Sequence, residues 1–212
     1  MDGSGDLVAL CLKQLGATAS DVAHDRGHVL RVLSNAREIA AGEGVEVGAV
    51  LTAAAILHDI VALPKTHPER ARASVLSSRK AWSLVRDMGF SREESDAVAH
   101  AVAAHSFSGE IEPQTAEARI LRDADRLDAL GAVGIARCFA VSGGLGRTLW
   151  HPDDPFAEAR DLDDGRYALD HFATKLLRLG DDMATATGRR LAEARTEVLR
   201  RYLDDLAREI RV

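Results

Sequence analysis

Apolar residues recur at three- and four-residue spacings along nearly the whole chain, while alternating runs of β-branched residues are almost absent. That periodicity predicts an all-α protein. The segments that carry it are 5–15, 25–42, 47–59, 67–88, 92–106, 115–130, 132–142, 166–182 and 186–211. Local signals mark several ends. Gly89 stops the fourth helix, and Ser91 followed three residues later by Glu94 has the pattern of a capping box that starts the next. Thr115 precedes AEARIL as an N-cap. Between 143 and 165 the periodicity lapses into GGLGRTLWHPDDPFAEARDLDDG, rich in glycine, proline and aspartate. A stretch of this length inside a helical domain is expected to be a lid, a binding loop or a loose connector. The last segment alternates its charges and spaces its leucines helically, so it reads as a surface helix or as a homodimer contact.

Composition narrows the picture. The 212 residues are expected to form a single domain, 1–212, with the C-terminal helix at about 186–211, and a 46% hydrophobic content is enough for a core. With 28% charged residues and a net charge of −6, general binding to a nucleic-acid polymer is disfavoured, and a small-molecule partner is expected. Cys11 and Cys138 have no CxxC spacing and read as buried thiols. The longest charge-free apolar run, Val47 to Leu57, is too short to cross a bilayer, and MDGSGDLV lacks a basic segment followed by an apolar one. The expectation is a cytoplasmic protein with no membrane partner.

The chemistry begins at AAAILHDIVALPK, residues 53–65, where an uncharged helix runs into His58 and Asp59. Two polar side chains at the end of such a helix must find partners, because burying them unpaired costs several kcal/mol, on the order of 2–7. Capping is one answer: a histidine suits a helix C-terminus, and an aspartate can accept from nearby backbone N–H groups. Two other stretches raise a second answer. In HDRGHVLRVLSNAREIA, His24 and His28 are four apart on one face, with Val29, Val32, Leu33 and Ile39 forming the apolar stripe. In EARILRDADRLDALGAVGIAR, Asp123, Asp125 and Asp128 share a helix with Ile120, Leu121, Leu127 and Leu130. Aspartate is a poor helix former, so the cluster asks for a reason.

Taken in order, His28, His58–Asp59 and Asp125 give H…HD…D from three separate helices. With the segments H-x3-H-V-x-R-V-x2-N-A-x2-I-A, L-x-A-A-x2-L-H-D-I and D-A-D-R-L-D-A-L-G-A-x-G-I-A-R, and with HSFSG after the fifth helix, the chain resembles the HD-domain superfamily of metal-dependent phosphohydrolases, in a single-domain bacterial branch, over roughly residues 20–180. The resemblance implies a compact multi-helix bundle with a lid-like loop, and one divalent metal held by His28, His58, Asp59 and Asp125. Mixed imidazole and carboxylate ligands suit Mn²⁺ first, then Fe²⁺, Co²⁺, Zn²⁺, Mg²⁺ or Ni²⁺.

The implied reaction is hydrolysis of a phosphate ester or anhydride in a nucleotide or similar small phosphorylated metabolite, nucleotide pyrophosphohydrolysis included. Lys65 is then a candidate for catalysis and phosphate contact, and Arg126 and Arg147 are further substrate-binding candidates whose alternative is an ordinary ion pair. His105 is a candidate proton donor or substrate contact. Asp128 is a candidate for orienting a ligand or a water, with an arginine pair as its alternative. His24 reads as support for the start of its helix. His100 and His105 are five apart, a rotation of about 140°, so they are not expected to face one site together. Three other classes stay open: a metal- or nucleotide-binding module without turnover, a di-iron oxygenase, and a structural helical protein with a polar cluster.

Overall fold

The computed structural model describes residues 3–15, 25–63, 67–106 and 111–210. Among them are nine α-helices: α1 (Gly3–Gln14), α2 (Arg26–Glu43), α3 (Ala49–Leu57), α4 (Ala73–Asp87), α5 (Arg92–Ala104), α6 (Ala116–Asp128), α7 (Gly131–Gly144), α8 (Asp170–Thr174) and α9 (Ala186–Glu209). No β-strand occurs among these residues, only an isolated bridge between Thr148 and Tyr167. The all-α expectation holds. The chain divides into two compact units, Met1–Asp125 and Arg126–Val212.

The first unit is organised around α3. Every residue from Leu51 to Leu57 is buried, and α3 packs against α1, α2, α4 and α5. A helix that is apolar all round belongs inside, and its lack of charge is explained by having neighbours on every side. Cys11 of α1 is fully buried, and burial pushes its thiol pKa up to about 11, so it is an inert core group. The α4–α5 hairpin turns where Gly89 adopts a φ of 92°, and the capping box forms as expected: Ser91 N–H donates to Glu94 and Glu94 N–H donates back to Ser91 Oγ. Thr115 likewise accepts from Ala118 N–H at the start of α6.

In the second unit α7 packs on α9, and Phe139, Phe172 and Tyr202 form an aromatic cluster with centroids 5.8–6.0 Å apart. Gly134 is fixed sterically, because a Cβ there would lie 2.2 Å from the carbonyl oxygen of Ala129. Cys138 is buried, as expected.

Two helices differ from their sequence reading. The segment 67–88 becomes a 3-10 turn at Arg70–Arg72 followed by α4. His67 precedes a proline, which disfavours helical backbone, and its ring captures the Glu69 N–H. The segment 166–182 becomes the five-residue α8 and a 3-10 helix, Leu176–Asp182. Its first turn is taken by the preceding loop: Ala168 and Leu169 donate to the carbonyls of Thr148 and Leu149, and Asp170 accepts two bonds from Arg160 and one from Asp163 N–H. That loop is therefore pinned at several points, with the Arg160 guanidinium 4.7 Å over the Tyr167 ring. A loose connector is not what it forms. No single helix among the described residues is long and apolar enough to cross a membrane.

Candidate metal centre

The site lies within the first unit and is assembled from helix ends. Asp25 caps α2 by accepting from the backbone N–H of His28 at 2.7 Å, which fixes His28 in the first helical turn. His58 ends α3 with no exposure, and His105 ends α5 at 4% exposure. Asp59 follows His58 directly, and Asp125 sits in α6.

Both helix-ending histidines use the same local device. His58 Nδ1–H donates to the carbonyl of Ala55 at 2.8 Å, and His105 Nδ1–H donates to the carbonyl of Val102 at 2.6 Å. A carbonyl only accepts, so each neutral ring keeps its lone pair on Nε2. The Nε2 atoms of His28 and His58 are 3.1 Å apart. Asp125 Oδ1 is 3.5 Å from His28 Nε2 and 3.8 Å from His58 Nε2, while Asp59 Oδ2 is 3.8 Å and 3.5 Å from the same two atoms. The other Asp59 oxygen, Oδ1, is 3.5 Å from His105 Nε2.

Donors bound about 2.1 Å from one ion at tetrahedral or octahedral angles stand roughly 3.0–3.5 Å from each other. The measured separations are close to that. The residues form two groups that could hold a metal ion, His28–His58–Asp125 and His58–Asp59–His105, and they share His58. Because its Nδ1 is committed to Ala55, His58 offers one nitrogen to both groups.

The electrostatics differ sharply between neighbours. Burial lowers the His58 pKa to about 4, against the opposing pull of Asp59 and Asp125, so its ring is neutral near pH 7. Burial also works against a charged His105, yet Asp59, with Asp125 behind it, outweighs this and raises its pKa to about 9. A neutral and a protonated imidazole thus stand with centroids 5.0 Å apart.

Of the expected metal residues, His28, His58 and Asp125 fall in one group, while Asp59 groups with His58 and with His105. His100 instead accepts from the backbone N–H of Gln114, in keeping with the rotation between the two histidines. Lys65 and His24 lie outside the described residues. Within the second unit Asp128 is buried against Arg137, 2.5 Å away, and Arg126 is paired with Asp182 at 2.9 Å. Both thus take up the ion-pair alternative. Arg147 is half-buried, and its charge helps hold the Asp164 carboxyl below the ordinary range, after the larger effect of a hydrogen bond from His171. One contributor was missed: Ser77 of α4, fully buried, accepts from Val61 N–H at 3.1 Å and so ties down the turn after Asp59. A serine inside an otherwise amphipathic helix was its only trace in the sequence.

A helical unit in which buried histidines and part-buried aspartates bring nitrogen and oxygen donors together defines a protein with groups that could hold a divalent metal. The family model for the HD domain matches residues 26–130. The chain belongs to the HD-domain superfamily. It is 36% identical over 191 residues to Bacillus subtilis (strain 168) YpgQ, covering 88% of this chain and 84% of that protein. The crystal structure of YpgQ in complex with ADP is similar at a TM-score of 0.73 and 32% identity, over 97% of this chain and 94% of the other. An HD-superfamily hydrolase from Bacillus thuringiensis is similar at a TM-score of 0.71 and 30% identity, over 98% and 96% of the two chains.

Proposed function

We propose that this protein is a metal-dependent phosphohydrolase acting on a nucleotide or a similar small phosphorylated metabolite, nucleotide pyrophosphohydrolysis included. The observation that carries the reading is the convergence of His28 Nε2, His58 Nε2, Asp59 Oδ2 and Asp125 Oδ1, with separations of 3.1–3.8 Å around two imidazoles. In this reading these four residues hold one divalent ion, for which Mn²⁺ is the first candidate and Fe²⁺, Co²⁺, Zn²⁺, Mg²⁺ and Ni²⁺ also suit the mixed donor set. The bound ion supplies polarisation of a phosphoryl oxygen and a lowered pKa for water. The ADP complex of YpgQ supports a nucleotide as the ligand.

The chain's own residues do the rest. Ala55 and Val102 carbonyls hold the rings of His58 and His105 so that each Nε2 faces inward. The charge-free α3 supplies a dry wall that strengthens every charge interaction beside it. His105, with Nε2 3.5 Å from Asp59 Oδ1, is assigned the part of proton donor to a leaving phosphate or alkoxide. Lys65 is the cation assigned to the substrate phosphates. Arg126 and Asp128 are engaged with Asp182 and Arg137.

The test is release of phosphate and pyrophosphate from a nucleotide panel with added Mn²⁺, wild type beside Asp59→Ala. Release by wild type alone supports the reading, and the product ratio separates monoester from anhydride cleavage. Equal release by both proteins overturns the site, and no release by a folded, Mn²⁺-bound wild type overturns the hydrolase.

A further inference from the structure

Helix α2 carries a buried amide that the ligand set does not use. Asn35 lies seven residues after His28, two turns on along the same face and about 10 Å further down the axis. It is 5% exposed and sits among the buried Val32, Leu33, Ala36 and Ile39. A leucine would fill such a position without a polar group to satisfy, so an asparagine there needs a reason. Its side chain donates from Nδ2 to the carbonyl of Ala124 at 3.0 Å, across a separation of 89 residues.

The acceptor is informative. Ala124 is inside α6, where a backbone carbonyl already has a role in the helical ladder. The bond therefore does more for position than for satisfying a stranded group. The carbonyl of Ala124 belongs to the same planar peptide unit as the amide nitrogen of Asp125. Pinning that oxygen pins the start of Asp125, whose Oδ1 must stay 3.5 Å from His28 Nε2 on the same α2. A slide of α6 by one residue moves it about 1.5 Å along its axis and turns it by about 100°, which takes the carboxylate out of the cluster. Apolar packing alone tolerates small slides, whereas a directional hydrogen bond does not.

We infer that Asn35 is a positioning residue for the metal centre, setting the register of α6 against α2 through the Ala124 carbonyl and so placing Asp125. This rests on the reading of Asp125 as a metal ligand. Comparable outer contacts change metal affinity by about 10- to 100-fold.

The test is Mn²⁺ binding by the full chain, read by calorimetric titration and by the Mn²⁺ electron paramagnetic resonance spectrum. Wild type, Asn35→Ala, Asn35→Asp, Asp125→Ala and the packing control Gly134→Ala are compared, with circular dichroism as the fold check. Asn35→Asp keeps the shape but, ionised, has no hydrogen to donate, and it carries the test if Asn35→Ala fails to fold. The expected result is a 10- to 100-fold weaker Mn²⁺ affinity and an altered spectrum in both Asn35 variants, with Gly134→Ala binding like wild type. Wild-type affinity in a folded Asn35 variant, or equal loss in Gly134→Ala, overturns the inference. Wild type without Mn²⁺ binding, or Asp125→Ala binding as wild type does, overturns the ligand reading instead.

Discussion

His28 and His58 bring their Nε2 atoms within 3.1 Å of each other, and the Nδ1–H of His58 is already committed to its own helix. Two arrangements suit that distance: a neutral His28 donating its Nε2–H to the lone pair of His58, or a cation held between two lone pairs. In the proposed reading the cation takes that place. Adding Mn²⁺ at about a hundredfold over its dissociation constant is expected to stabilise the fold by about 2.7 kcal/mol. A thermal melt with and without Mn²⁺ checks this. His28→Ala should abolish the rise, and a rise that persists in that variant would remove His28 from the set.

His105 Nε2 stands 3.5 Å from Asp59 Oδ1, while the other oxygen of Asp59 is the one measured against His28 and His58. His105→Ala should therefore slow turnover by about 10²- to 10⁴-fold, the range for loss of a positioned acid. Mn²⁺ affinity should stay within a few-fold of wild type. A loss of metal equal to that of His28→Ala would make His105 a ligand.

Asp170 holds the 145–169 loop by accepting from Arg160 and from the Asp163 amide. The Arg160 guanidinium keeps its pKa below the ordinary 3.8, against the opposite pull of burial. Folding therefore favours the charged form. The stabilisation is complete above pH 3.8, and it fades as the pH falls through the lower folded value. Asp170→Asn should destabilise the fold near neutral pH, because a neutral amide at this buried position cannot match the Arg160 guanidinium and the Asp163 N–H together. The gap between wild type and variant in urea midpoints should narrow as the pH is lowered below 3.8. A constant gap would mean that the carboxylate charge plays no part.

Gly134→Ala places a methyl group 2.2 Å from the Ala129 carbonyl oxygen. Because backbone on both sides must move, a loss of about 1–3 kcal/mol is expected. Chemical unfolding measures it, and unchanged stability would show that the α6–α7 turn shifts freely.

Much of this was legible in the sequence, and the reasons are physical. Helical periodicity, the Ser91–Glu94 box and the Thr115 cap are local signals, and local interactions are what those patterns record. Asp125 was harder, since three aspartates share α6 and only the resemblance to the HD-domain pattern singles one out. Tertiary contacts decided what stayed hidden. The α8 region carries a good helical pattern, but the ladder from Thr148 and Leu149 competes for its first backbone N–H groups. For Arg126 and Asp128 the ion-pair alternative was open in the sequence, but the partners were not legible, since Asp182 and Arg137 lie 56 and 9 residues away along the chain. Asn35 had only a polar letter in an apolar stripe to mark it.

The ring bonds of His58 and His105 reach the carbonyl three residues back, at the place where a helix runs out of its own donors. Closing the helix and choosing the imidazole tautomer are therefore one event. The tautomers of both rings are written into two four-residue stretches, Ala55–His58 and Val102–His105, while their charges wait for burial and for the carboxylates of Asp59 and Asp125.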